Sequence, residues 1–175
     1  MNHNYFAQGA PTRRKVFVSY HHHGDQAYYD RFSTNFHDRY EAITDNSLER
    51  KIDSASVDYI VRRIREHHLQ GSSCTLVLCG IETPNRKYVD WEIDASLNQS
   101  MGLVAVLLPT LQIHPNGGTN KPARLQDNID SGYAEWVWWS EIIANPGLLL
   151  TKIESANSKS KTLIRNQRAR MQYNG

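Results

Sequence analysis

A chain of 175 residues, 39% hydrophobic and 22% charged, is long enough for one domain with a sizeable core and barely long enough for two. Those fractions are ordinary for a globular protein, and a net charge of +2 implies no strong non-specific attraction to nucleic acid. The opening "MNHNYFAQGAPTRR" lacks the apolar stretch of a signal peptide, and the longest apolar runs are too short to cross a bilayer. The chain therefore reads as a soluble, cytoplasmic protein with neither a membrane nor a nucleic-acid partner.

"KVFVSY" (Lys15–Tyr20), β-branched and aromatic, reads as a first buried strand. From Asp25 to Tyr40 the apolar positions Ala27, Tyr28, Phe32 and Phe36 recur at helical spacing, and "YEAIT" offers a short second strand. In "SASVDYIVRRIREHHLQGSS", Val57, Ile60, Val61, Ile64 and His68 mark one helix face, with Gly71 placed for a C-terminal cap. "CTLVLCG" and "LVAVLLP" are apolar on both faces, as central strands of a parallel sheet are. Between them "NRKYVDWEIDASLNQSM" reads as a helix. "TLQIHPNGGTNKPARLQDN" reads as a long loop, and "YAEWVWW" as a last strand in which Trp136, Trp138 and Trp139 serve the strand and core. From Asn145, a plausible N-cap followed by Pro146, a closing helix is expected to run towards Gln172, with Lys159, Lys161, Arg165, Arg168 and Arg170 on a solvated face that could also meet anionic partners.

Strands alternating with helices predict a single α/β domain: a three-layer, flavodoxin-like sandwich with a five-stranded, mostly parallel sheet in the order 2-1-3-4-5. The expected division is a flexible leader over 1–14, the domain over 15–150, and a C-terminal helix with a basic tail over 151–175. Cys74 and Cys79 lie an odd number of positions apart in one strand, so they face opposite ways and read as plain buried thiols. In the predicted order, ligands bind where the winding reverses, at the carboxyl ends of strands one and three. Those ends are "SYHHHGD" and "CGIETPN".

The second of these runs into the helix that carries Glu92. On a helical wheel Val89, Ile93, Leu97 and Met101 form the core stripe, and Tyr88, Trp91 and Ala95 a flanking one. Glu92 falls at the border, whereas Asp90, Asp94 and Asn98 take the solvent side. About 10 Å, two helical turns, is expected between Glu92 and the crevice mouth, within reach of a dinucleotide. From spacing alone the carboxylate could equally snorkel to water or pair with Arg86 or Lys87.

"KVFVSYHHHGDQAYYDRF", "TDNS" and "CTLVLCGIETPNRKYVDWEI" together resemble the TIR-like domains of the Thoeris ThsB type, over roughly Lys15 to Pro109. The resemblance implies a catalytic glutamate at Glu92 and NAD+ as a substrate rather than a resident cofactor. It implies nucleotide contacts from Ser19, Tyr20 and His21, and pocket-shaping roles for Asp45 and Ser47. Trp91 is a candidate for stacking on a base or ring, with core packing the blander reading. The implied product is a cyclic or conjugated ADP-ribose signal in anti-phage defence, reaching a separate effector protein by diffusion. It leaves room for a phage-derived trigger and for homo-oligomers. The absence of a second effector domain suits a producer of such a signal.

The proline-containing loop that many TIR domains carry after the second strand is not recognisable in "TDNSLERKIDSAS". The contiguous histidines His21–His23 lack carboxylates at ligand spacing, so no metal is expected. Two other function classes compete: a non-catalytic TIR-like interaction module, and a flavodoxin-like nucleotide-binding regulator. The latter is disfavoured because no Gly-rich phosphate loop is present.

Overall fold

Each doubly apolar run of the sequence becomes a central strand. The structure is a computed structural model that describes residues 13–44 and 56–175. Among these, β1 (Arg14–Ser19), β2 (Tyr40–Ile43), β3 (Cys74–Cys79), β4 (Gly102–Leu107) and β5 (Glu135–Trp138) form one five-stranded sheet in the order β2-β1-β3-β4-β5. Every neighbouring pair is parallel, with Val16 opposite Cys74 and Cys74 opposite Gly102. All residues of β3 and β4 are buried, which is why neither shows polar alternation. The winding reverses between β1 and β3.

The connections are α1 (His22–Asn35), α2 (Val57–Arg63), α3 (Lys87–Asn98), α4 (Ala123–Asp130), α5 (Trp139–Ala144) and α6 (Gly147–Ser158). Alternate strand residues supply the two faces of the sheet. Val16, Val18, Leu76, Leu78, Val104 and Val106 pack with Phe32 of α1, Ile142 of α5, and Leu149 and Ile153 of α6. On the opposite face Phe17 packs with Ile60, Val61 and Trp91, and Val77, Leu103 and Ala105 with Ile93 and Leu125. Each such aliphatic side chain, fully buried, contributes about 1.5–3 kcal/mol relative to exposure. Cys74 and Cys79 belong to opposite faces and are free thiols, each pushed up to about 12 by burial.

Gly71 takes a positive φ of 80° just past the second helix, where the sequence places a C-terminal cap, and at the other end Ser56 Oγ accepts from Tyr59 N–H. Its last turn, Ile64–His68, is π-helical.

Five expectations are corrected. The first helix ends at Asn35, short of Phe36 and Tyr40 in the expected helical stretch, while Tyr40 opens β2 as the strand reading of "YEAIT" expects. The predicted loop over 110–128 contains the start of α4. Its inward positions include Arg124 and Asn128 besides Leu125, so no apolar period advertises the helix. The closing helix stops at Ser158; after a 3₁₀ turn at Lys161–Leu163, residues 164–175 run without regular structure across α3 and α4. Trp139 is buried but opens α5, while Trp136 is 43% exposed on the edge strand β5. The expected domain boundary at 150 falls inside α6, whose buried face belongs to the main core. The expected leader lies outside the described residues except for Arg13 and Arg14. No helix among the described residues is long and apolar enough to cross a membrane.

Candidate functional site

β1 ends at Ser19, and the chain turns into α1 through Tyr20 and His21. β3 ends at Cys79, and Gly80 leads through a 3₁₀ turn at Thr83–Asn85 into α3. These two exits flank the reversal point of the sheet. Glu92 lies in the second turn of α3, on the side turned to β1. It is 3% exposed, and Ser19 Oγ donates to its Oε2 at 2.5 Å. A hydroxyl bound to a carboxylate at such a distance is charge-assisted, roughly twice as strong as a neutral pair. Glu92 thus meets the last residue of β1 instead of standing remote from the strand ends.

A polar column fixes the helix beneath it. Ser96 Oγ donates to the Glu92 carbonyl at 2.8 Å and shares a 2.6 Å bond with Thr75 Oγ1 of β3. Helix α3 is therefore tied to β1 through the side chain of Glu92, and to β3 one turn later. Position and register of the carboxylate follow from both.

Asp25 is a buried acid that sequence reasoning overlooked. It stands in the first turn of α1, where the helix dipole favours a negative charge, and it is 3% exposed. Thr83 Oγ1 donates toward Asp25 Oδ2 at 3.1 Å and accepts from Gly80 N–H at 2.8 Å. Burial raises the Asp25 carboxyl above its ordinary range, with the Thr83 bond opposing. A Cβ on Gly80 would lie 2.3 Å from Asp25 Oδ1, so only glycine admits this approach. The effect is to bolt the two loops of the crevice together. An acid just inside a helix start was visible in "HHHGD"; its partner in the third-strand loop was not.

Strand alternation sends Tyr20 towards the α1 layer, where its ring stacks on Tyr29 at 4.7 Å and its hydroxyl donates to Gln26. His21 is largely buried at the cap of α1, its carbonyl accepting from Asp25 N–H at 2.8 Å. Trp91 is a packing residue: it sits in the core with Phe17, edge-on to Tyr88, and its indole N–H donates to the Met171 carbonyl. Asp45 and Ser47 lie outside the described residues.

The solvent side assigned to Asp90 and Asp94 is wrong. Both are buried, because residues 164–175 and Arg124 of α4 cover that face of α3. The basic stretch is accordingly not a solvated helix face. Arg168 forms a two-pronged bond with Asp127, and Arg170 bonds Asp94 and Asp58. Among the described residues no cluster of three or more His, Cys, Asp or Glu side chains could hold a metal ion.

A parallel doubly wound sheet with a glutamate held at its reversal point defines an α/β protein with a carboxylate centre in its ligand crevice. The sequence family described as Thoeris protein ThsB, TIR-like domain, matches residues 17–113, more than half of the chain. The chain belongs to that family, which assigns it a TIR-type role in defence or signalling. The chain is also similar to the TIR domains in a structure of the activated Roq1 resistosome directly recognizing the pathogen effector XopQ. That likeness has 13% identity, a TM-score of 0.41, and coverage of 82% of this chain and 81% of that one. No curated protein matches the chain.

Proposed function

We propose that this TIR-like domain cleaves the nicotinamide–ribose bond of NAD+ and converts the remainder into a cyclic or conjugated ADP-ribose signal for a separate effector in Thoeris anti-phage defence. The observation that carries the reading is the buried Glu92 carboxylate, held by Ser19 where β1 ends.

The chemistry suits one carboxylate. As the bond from ribose C1′ to the nicotinamide nitrogen breaks, its electron pair leaves with nicotinamide, which departs neutral and needs no proton. Positive charge grows on the ribose, as in glycoside hydrolysis. A carboxylate held beside it in a water-poor crevice stabilises that charge without reorganising. Water, or a nucleophile on the ADP-ribose or on an acceptor molecule, then attacks C1′ and loses a proton. Ser19 holds the glutamate in place, while the Asp25–Thr83 link holds the two loops between which the dinucleotide would lie.

The test compares the wild type with Glu92→Gln, by nucleotide analysis of extracts from phage-challenged cells, where a natural trigger is present. Gln keeps the size but not the charge; losing ~3 kcal/mol of transition-state stabilisation slows turnover by over a hundredfold. The melting temperature should hold or rise, because a buried charge has been removed. If Glu92→Gln yields the same signal at the wild-type rate, Glu92 is not catalytic and the chain is better read as a non-catalytic interaction module.

A further inference from the structure

Residues 164–175 lie beyond the segment matched by the family, yet they grip the surface of α3 immediately around Glu92. Asp90 accepts from Arg124 Nε at 2.9 Å, from Arg124 Nη2 at 3.3 Å, and from the backbone N–H of Met171 at 2.9 Å. The Trp91 indole N–H donates to the Met171 carbonyl at 2.8 Å. Asp94 accepts from Arg170 Nε at 2.7 Å and from Asn166 Nδ2 at 2.8 Å. The other end of the Arg170 guanidinium reaches Asp58, in the first turn of α2, at 2.5 Å. At the start of α3, Asn174 Oδ1 accepts from Lys87 N–H at 2.9 Å.

We infer that Arg170 is a positioning residue for Glu92, acting through Asp94 and the clamp that residues 164–175 form over α3. The inference rests on Glu92 acting on NAD+. On its inner side α3 is tied to the sheet by Ser19 and Thr75. On its outer side two buried aspartates carry charge that must be matched, and the cations matching it come from α4 and from this segment. Arg170 neutralises the buried Asp94 and, with the other end of the same rigid fork, reaches the surface carboxylate of Asp58 on α2, so it bridges the two helices. Without it Asp94 retains Asn166 but loses its closest cation, and the outer wall of α3 loosens. A displacement of about 1 Å in a catalytic group can cost on the order of a hundredfold in rate.

The experiment uses the full chain in three forms: wild type, Arg170→Ala and Arg168→Ala. Arg168 makes its two hydrogen bonds to Asp127 of α4 and acts on α3 only through the longer-range field of Asp90, so its variant weakens the same segment chiefly at α4. Hydrogen exchange is followed at the α3 amides and at the Trp91 indole N–H, alongside kcat and KM for NAD+. In Arg170→Ala, exchange at α3 should rise and kcat should fall by roughly tenfold or more, with KM within about twofold. In Arg168→Ala, α3 exchange and kcat should stay at wild-type values. Unchanged α3 exchange in Arg170→Ala overturns the inference, as does faster exchange with unchanged kcat. An equal loss of kcat in Arg168→Ala also overturns it, since that is general destabilisation. Absence of wild-type turnover both in the purified chain and in extracts of phage-challenged cells refutes the NAD+ reading instead, and the exchange measurements still decide whether Arg170 holds the helix.

Discussion

Arg124 offers the sharpest test of how this fold is held. Its side chain is wholly buried and its three nitrogens are committed to Asp90, to Asn166 at 2.7 Å and to the Ala169 carbonyl at 3.3 Å. Arg124→Met keeps most of the stem volume but strands Asp90, 3% exposed, with only the Met171 N–H among these donors. Breaking a buried pair on one side costs about 3–5 kcal/mol, a large part of the roughly 5–15 kcal/mol that stabilises a typical domain. For a chain of this size that is roughly 6–20 °C in melting temperature. Urea unfolding should show a lower midpoint at unchanged m-value, and the loss should persist at high salt, since a buried pair is poorly screened. Adding Asp90→Asn should recover part of the loss, because the orphaned charge is gone. A loss below ~1 kcal/mol, the value of an exposed pair, would show that this network is solvated and refute the reasoning.

Three further outcomes follow from the geometry. Ser19→Ala removes a bond to a charged group worth about 1.5–3 kcal/mol, so NAD+ turnover should fall roughly ten- to a hundredfold; wild-type turnover would show that Ser19 does not hold Glu92 in its working position. Gly80→Ala places a methyl 2.3 Å from Asp25 Oδ1, and thermal melting should register a loss of about 1–3 kcal/mol as the two crevice loops are forced apart. An unchanged melting curve would mean the loops yield freely. Burial alone would raise the Glu135 carboxyl, but bonds from Lys159, Ser155 and Lys152 outweigh it and hold the group at about 2, below its ordinary 4.5. Its folded-state value being depressed, its stabilisation is complete above pH 4.5 and is lost as pH falls towards about 2. Glu135→Gln should therefore flatten the pH dependence of urea stability in that window; an identical slope would refute the assignment.

What the sequence by itself determined was everything set by local pattern. Two strands apolar on both faces point to the centre of a parallel sheet covered on both sides, and five strands alternating with helices suit the order β2-β1-β3-β4-β5, with its reversal at "SYHHHGD" and "CGIETPN". The wheel set Glu92 apart from the wet face, and the motif around it placed the chain in its family. Tertiary structure alone decided what lies against that helix. Ser19 and Glu92 meet across 73 positions, and no periodicity within either segment encodes the meeting. The same wheel put Asp90 and Asp94 in water because it treats the far side of a helix as solvent. Arg124 and residues 164–175 arrive there from 34 to 81 positions away and make that side an interior. Helix α4 escaped notice for the same reason: its buried positions include an arginine and an asparagine, whose burial is tolerable only because acids and carbonyls distant in the chain complete their bonds.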